Sequence, residues 1–344
     1  MPFYQCAKCQ RRWEYPLNEC PFDFVPLQKM ESKIARVNSV AKVSIPTLFH
    51  PAVPYYILLL EDENGNLWAH KSEKEYKVGD ELRTEPDTGN DAVAISRVKF
   101  DALDAIEKAL ESIGGLDLNP DSRVVVLPTL AAASHEYFRD NTSPKFLDAI
   151  LSLLIERGVK SESITVGSQS FDEIPIAAVA QKSGLLGLAA KYKIAPTDLA
   201  AGEFEKVGQM EISKLVLRAD LVINLAMEKI GQAVATTNMF RVLKKENYLG
   251  LQYMSSDIEI AALLESMLDK MIVIGEAENV QRSYKLTTFM GLVFAARSPR
   301  SLDRVFNEVA MSLKLPEIVK DCNMESIHVV GRSIKEVQYR AEIF

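Results

Sequence analysis

The first 23 residues carry the tightest constraint on this chain. Cys6-Ala7-Lys8-Cys9 sets two thiols on one short turn, and Cys20-Pro21-Phe22-Asp23 offers a second pair of ligating groups after ten intervening residues. Two such pairs brought together by a hairpin make a tetrahedral set for Zn²⁺, which accepts carboxylate oxygen as well as sulfur. The expected ligands are Cys6, Cys9, Cys20 and Asp23, with Asp23 standing where a fourth cysteine would complete the pattern. A segment of ~30 residues buries too little surface to fold unaided, and metal binding free energy becomes its folding free energy. The spacing predicts a zinc ribbon over residues 1–30, with a closed structural site rather than an open catalytic one. The competing reading is three buried cysteines beside an ordinary surface aspartate, with no ion.

Only four cysteines occur in 344 residues, and Cys322 stands apart from the other three. That usage fits a metal site in a reducing compartment better than a disulfide framework, and the expected location is cytoplasmic. No cysteine run suited to an iron–sulfur cluster is present, so none is expected. The formal charge is −7, without the strongly basic balance that phosphate-backbone binding favours, so nucleic acid is not the expected partner. No apolar run approaches the ~18 residues that span a bilayer.

After the cysteines the pattern becomes short β-like runs: Ile34–Val43, Tyr55–Glu61, Leu67–Lys71, Glu81–Arg83 and Ala92–Phe100. Glu63-Asn64-Gly65-Asn66, Val78-Gly79-Asp80 and Thr88-Gly89-Asn90 supply the turn chemistry between them. Five antiparallel strands in so few residues predict an OB-like β-barrel over 31–101, closed so that no edge is exposed. Phe49, Tyr55, Tyr56 and Trp68 could serve as base-stacking platforms or as core; their acidic neighbours Glu61, Asp62 and Glu63 favour core.

Leu103–Ile113 has helical periodicity and stops at Gly114-Gly115, so 102–119 reads as helix and linker. From residue 120 to 344 strands and helices alternate. The strands expected are Arg123–Leu127, Ser163–Val166, Asp220–Asn224, Met271–Ile274 and Phe289–Ala296; the helices are Pro144–Arg157, Glu173–Lys182, Ile212–Arg218, Asp257–Asp269 and Leu302–Leu313. Such alternation predicts an α/β domain with a mainly parallel sheet. Ligands of such sheets bind at the carboxyl ends of the strands. That places His135, Ser168, Asn224, Lys229 and Asn247 as candidate ligand-binding residues. Lys229 could hold an anion, and His135 could act as a base. Asp303 reads as a capping carboxylate in the first turn of its helix. Gly167-Ser168-Gln169-Ser170 lacks the spacing of a phosphate loop or a dinucleotide fingerprint.

Two resemblances attach to these residues. The knuckles, the Lys33-Ile34 strand start, Pro54-Tyr55-Tyr56 and the Gly79-Asp80 turn resemble the zinc-ribbon and OB-fold family called domain of unknown function 35. That resemblance implies contact with acyl-coenzyme A or with a partner enzyme that uses it. The stretch from Arg123 to Gly331 resembles the α/β family called domain of unknown function 362. It does so through Thr142-Ser143-Pro144, Val166-Gly167-Ser168, the block Ala219-Asp220-Leu221-Val222-Ile223-Asn224-Leu225 with Lys229, Asn247-Tyr248-Leu249-Gly250 and Ser301-Leu302-Asp303-Arg304-Val305. The chain departs from that family at Leu127-Pro128-Thr129, where relatives carry Lys-Pro-Asn, and at Lys229-Ile230-Gly231, where they carry Lys-x-His.

Two classes of function fit these readings. In one, the α/β domain binds a small anionic metabolite, with or without catalysis, while the ribbon and barrel present ligand or dock a partner enzyme. In the other, both modules are non-catalytic adaptors that bind protein or nucleic acid. Convergence of Ser168, Asn224, Lys229 and His135 on one pocket would favour the first.

Overall fold

The computed structural model describes residues 3–338 apart from 15, 16, 18, 31, 33, 47–52, 73, 84–88, 90, 172, 173, 284 and 285. Lys33, Phe49, Thr88, Asn90 and Glu173, used above, lie outside the described residues. The chain divides into two compact units, Met1–Pro86 and Asp87–Phe344.

In the first unit β1 (Phe3–Cys6), β2 (Arg12–Trp13) and β3 (Leu27–Met30) form a small antiparallel sheet in the order β2-β1-β3. A second antiparallel sheet joins β4 (Ile34–Val43), β5 (Tyr55–Asp62), β6 (Leu67–Ser72) and β7 (Glu81–Arg83) in the order β6-β5-β4-β7. The register of β4 against β5 shifts between Val37 and Ser39. Such a bulge raises the local twist. Period-two alternation buries Ala35 and Val37 of β4, which pack with Phe3, Tyr56, Leu58, Leu60 and Trp68. Tyr55, Tyr56 and Trp68 are buried, and the Phe3 and Trp68 rings lie 5.7 Å apart, so these aromatics serve as core.

The expected five-stranded barrel is a four-stranded half-barrel. Its intended fifth strand, β8 (Ala92–Arg97), sits instead in the large sheet between two strands from the other end of the chain. The reason is burial: Ala92, Val93, Ala94 and Ile95 are all buried, on both faces, which a one-sided half-barrel cannot provide.

The second unit continues with α1 (Ala102–Ser112), β9 (Val124–Pro128), α2 (Pro144–Glu156), β10 (Ile164–Ser168), α3 (Ile176–Lys182), α4 (Leu185–Lys191) and β11 (Thr197–Asp198). A hairpin of β12 (Phe204–Val207) and β13 (Met210–Ser213) follows, then α5 (Lys214–Leu217), β14 (Leu221–Lys229), α6 (Val234–Met239), α7 (Lys245–Leu251) and α8 (Asp257–Met267). The chain ends its sheet with β15 (Met271–Ser283), β16 (Leu286–Ala296), α9 (Pro299–Val309) and β17 (His328–Gly331). The expected helix Ile212–Arg218 begins as β13, because Gly208 at φ +63 turns β12 back and the hairpin claims Ile212 and Ser213.

The sheet runs β11-β10-β9-β14-β15-β16-β8-β17. It is parallel from β11 to β15, antiparallel across β15-β16-β8, and parallel again at β8-β17. Strand order reverses between β9 and β14, a topological switch point. One face is covered by α1, α2 and α3, the other by the β12–β13 hairpin, α6, α7, α8 and α9. Among the described residues no helix is long and apolar enough to cross a membrane.

Candidate functional site

The four predicted ligands converge. One ligand atom from each of Cys6, Cys9, Cys20 and Asp23 lies within 4.8 Å of every other, so the group could hold a metal ion. Cys6 Sγ and Cys20 Sγ stand 3.5 and 3.6 Å from Asp23 Oδ2, and Cys9 Sγ is 3.7 Å from Cys20 Sγ.

The two turns that carry them are built alike. In the first, the amides of Lys8 and Cys9 donate to Cys6 Sγ at 3.4 Å, Gln10 N donates to Cys6 O, and Cys6 N donates to Arg11 O. In the second, the amides of Phe22 and Asp23 donate to Cys20 Sγ at 3.4 Å, Phe24 N donates to Cys20 O, and Cys20 N donates to Val25 O. Gln10 and Phe24, at matching positions, both adopt positive φ, 61° and 52°. Asp23 therefore occupies the place that Cys9 holds in the other turn. Amide donation to sulfur stabilises the thiolate form, the form that ligates metal. Three sulfurs and a carboxylate packed this closely repel one another when ionised, and a cation between them removes that cost.

In the second unit the crevice at the switch point is stitched shut. Thr129 N donates to Leu225 O and to Thr142 Oγ1, Thr142 Oγ1 donates to Leu225 O, and Met227 N donates to Thr129 Oγ1. Ser143, rather than Thr142, caps α2, which frees Thr142 for the sheet. Asn141 Oδ1 receives the amides of Ala131 and Ala132 and ties down the rest of that loop.

The five predicted ligand-binding residues take separate places. Asn224 is fully buried, accepts from Asn238 Nδ2 at 2.8 Å and donates to Ala235 O. Lys229 closes β14 with its ammonium 3.6 Å from Asp140 Oδ1, and burial pulls its pKa down. His135 is exposed in the loop that also carries Asp140, and its Nδ1 accepts from Tyr137 N. Ser168 ends β10 with a buried hydroxyl that has no hydrogen-bond partner. Asn247 clamps the hairpin, accepting from Glu211 N and donating to Gln209 O.

An open cleft of about 640 Å³ lies beyond the end of β10, lined by Gln169, Ser170, Lys206, Glu211, Lys244 and Lys245 among others. Gln169 Nε2 is anchored on the carbonyls of Arg241 and Leu243, while Arg241 Nη1 returns a bond to Gln169 O. That anchoring fixes the amide and leaves Gln169 Oε1 buried without a donor. Lys244 pairs with Glu211 at 3.0 Å, and Lys206 and Lys245 have no ion-pair partner among the described residues.

Several buried acids play parts that differ from the sequence reading or that it did not assign. Asp303 caps a helix, but not its own: α9 is capped by Ser298, and Asp303 accepts from Ala235 N, Thr236 N and Thr236 Oγ1 at the start of α6. Glu276 accepts from Ser143 N at the start of α2, and burial pushes its pKa up to about 7. Glu228 is fully buried, and neither carboxyl oxygen has a partner. The available signal was an acid inside an unbroken apolar strand, Leu221-Val-Ile-Asn-Leu-Ala-Met-Glu-Lys229. Asp220, in the same block, does structural work at the opposite end, where Arg123 holds its pKa down to about 2.

Residues 124–240 match the family model for a domain of unknown function, DUF362. The match falls inside the segment for which that resemblance was expected. A solved structure titled "Ltp2-ChsH2(DUF35) aldolase" is similar over 24% of this chain and 70% of that one, with 21% identity and a TM-score of 0.20. No curated protein matches the chain.

Proposed function

We propose that this chain is a zinc-stabilised binding protein. Its N-terminal unit holds one structural Zn²⁺ through Cys6, Cys9, Cys20 and Asp23, and its C-terminal unit takes a small anionic metabolite into the cleft beyond β10. The observation that carries the reading is the duplicated turn, in which a carboxylate takes the place of a thiol with the same backbone bonds around it. The cleft supports the second half: its volume suits a metabolite, and Lys206 and Lys245, without an ion-pair partner among the described residues, line it. Ser168, with its unpartnered buried hydroxyl, is the predicted ligand residue next to Gln169, and Asn247 acts by holding the cleft's hairpin. Asn224, Lys229 and His135 shape the ends of the neighbouring strands.

Phe22 and Phe24, 62% and 73% exposed beside the second knuckle, support a docking role for the N-terminal unit toward a partner enzyme. Thiolate ligation supports a reducing compartment, the cytoplasm.

Native against denaturing mass spectrometry of the untagged chain tests both halves. We expect ~65 Da to leave on denaturation, the mass of one zinc. Titration with inorganic phosphate should show binding that Lys206→Ala with Lys245→Ala weakens at least several-fold. A chain that carries no metal yet melts as the intact protein would remove the zinc assignment, and phosphate binding indifferent to both lysines would remove the cleft.

A further inference from the structure

Glu228 is the least explained group in the molecule. It lies at 0% exposure near the end of β14, on the strand face that meets α6 and α9, and no amide, hydroxyl or cation among the described residues donates to its carboxyl oxygens. A Cβ built on Gly275 would come within 3.2 Å of Glu228 Oε1 and 2.9 Å of Leu302 Cδ2, so the carboxyl is packed against the bare backbone of β15 with no room for water on that side. The group that acts on it is Asp303, also at 0% exposure. An isolated buried charge costs several kcal/mol, on the order of the whole stability margin of a domain. Asp303 offsets that cost with three donated hydrogen bonds from the first turn of α6. Glu228 has none. Two acids in one dry space cannot both ionise at ordinary pH, and the one without donors keeps the proton.

Among the described residues no cation pairs with either acid. On β14, Lys229 faces the other side of the sheet and pairs with Asp140. On β15, Glu276 is bonded to the start of α2. On α9, Arg304 is taken by Glu308. The helix α6, Val-Ala-Thr-Thr-Asn-Met, has no ionisable side chain.

The same acids sit on the fastening of one turn. Residues 230–233 connect β14 to α6, and α9 holds both sides of the joint: Asn307 accepts from Gly231 N and donates to Gln232 O, while Asp303 holds Ala235 and Thr236 in the first turn of α6. We propose that Glu228 and Asp303 share one proton at neutral pH, and that this proton latches the β14–α6 turn closed. When the proton leaves to solvent, two carboxylates face each other without a donor for Glu228. Asp303 is anchored by three bonds, so Glu228 is the partner that moves, taking the end of β14 and Lys229 with it.

Infrared difference spectra of the full chain across pH 5 to 9, with Glu228→Gln alongside, test the proton directly. Because Glu276 also holds a proton up to about pH 7, the spectra are read in a Glu276→Gln background, where we expect a protonated-carboxyl band still present at pH 7, bleaching as pH rises, and lost on adding Glu228→Gln. Amide exchange of residues 231–236, corrected for its intrinsic pH dependence, should lose protection by up to about tenfold per pH unit as pH rises from the ordinary carboxyl range to the transition, and level off above it, as release of one proton requires. Glu228→Gln should keep protection at high pH. Lack of a protonated-carboxyl band in Glu276→Gln at pH 7, or exchange unchanged between pH 6 and 9, overturns the proposal. The infrared titration of Glu276→Gln, which keeps Glu228 and Asp303, decides even where Glu228→Gln does not fold.

Discussion

A carboxylate in place of a thiolate changes how firmly a soft-leaning ion such as Zn²⁺ is held, because sulfur donates more charge to it than oxygen does. Since the backbone around Asp23 already repeats that around Cys9, Asp23→Cys should need no rearrangement. We expect slower loss of metal to a chelator, followed by absorbance of a zinc-responsive dye. Cys9→Ser should release the metal at equilibrium and abolish the cooperative melting of the first unit in calorimetry. In the second unit, Thr142→Val removes the hydroxyl that links Thr129 and Leu225. Thr129 N and Leu225 O still hold each other, so loss of the hydroxyl's two bonds should cost about 0.5–1.5 kcal/mol in urea unfolding. The knuckle ligands were legible because their chemistry is local: the whole site is written within 18 consecutive positions, Cys6 to Asp23. Asp303 and Glu228 were not read as partners, because their relation rests on bringing α9 onto the end of β14, and no local pattern encodes that meeting.

Among elements, α2 shows how a buried acid sets pH dependence. Glu276 accepts the Ser143 amide at its start, yet burial raises its pKa to about 7 against an ordinary 4.5. The folded state therefore binds this proton more tightly than the unfolded chain does. The stability it contributes is complete below the ordinary value, falls as pH climbs to about 7, and stays flat above. Glu276→Gln should flatten this part of the pH profile and raise the urea midpoint above pH 7. At the sheet's far edge, Gly331 closes β17 at φ +79, and a Cβ there would lie 2.5 Å from Ile95 O. Gly331→Ala should loosen β17 from β8, raising amide exchange at Val329 and Val330 first. Strand positions were largely legible, Ile34–Val43 and Glu81–Arg83 among them, since alternation and turn residues are local signals. The partner of β8 was not. Its unbroken Ala92-Val-Ala-Ile95 run, unlike the alternation of β4, is the mark of a strand covered on both sides, and it was legible in principle.

On the scale of the whole molecule, the two units have separate cores, one gathered around Val37, Leu58 and Trp68, the other lying on both faces of the large sheet. Chelation should therefore remove one melting transition and leave the second in place, by calorimetry with far-ultraviolet dichroism. The position of β8 carries a further consequence, for the order in which the chain is made. It is the first strand of its unit to leave the ribosome, yet it is bordered by β16 and β17, made roughly two hundred residues later. Until residues 286–331 emerge, a bare apolar strand has no neighbour on either edge, and long-range pairing of this kind is slow and exposed to aggregation. The N-terminal unit, whose strand pairings all lie within residues 3–83, closes early and stands beside that waiting strand in sequence. The growing chain thus pairs a module that folds as it appears with one that must be held open until its last strands arrive.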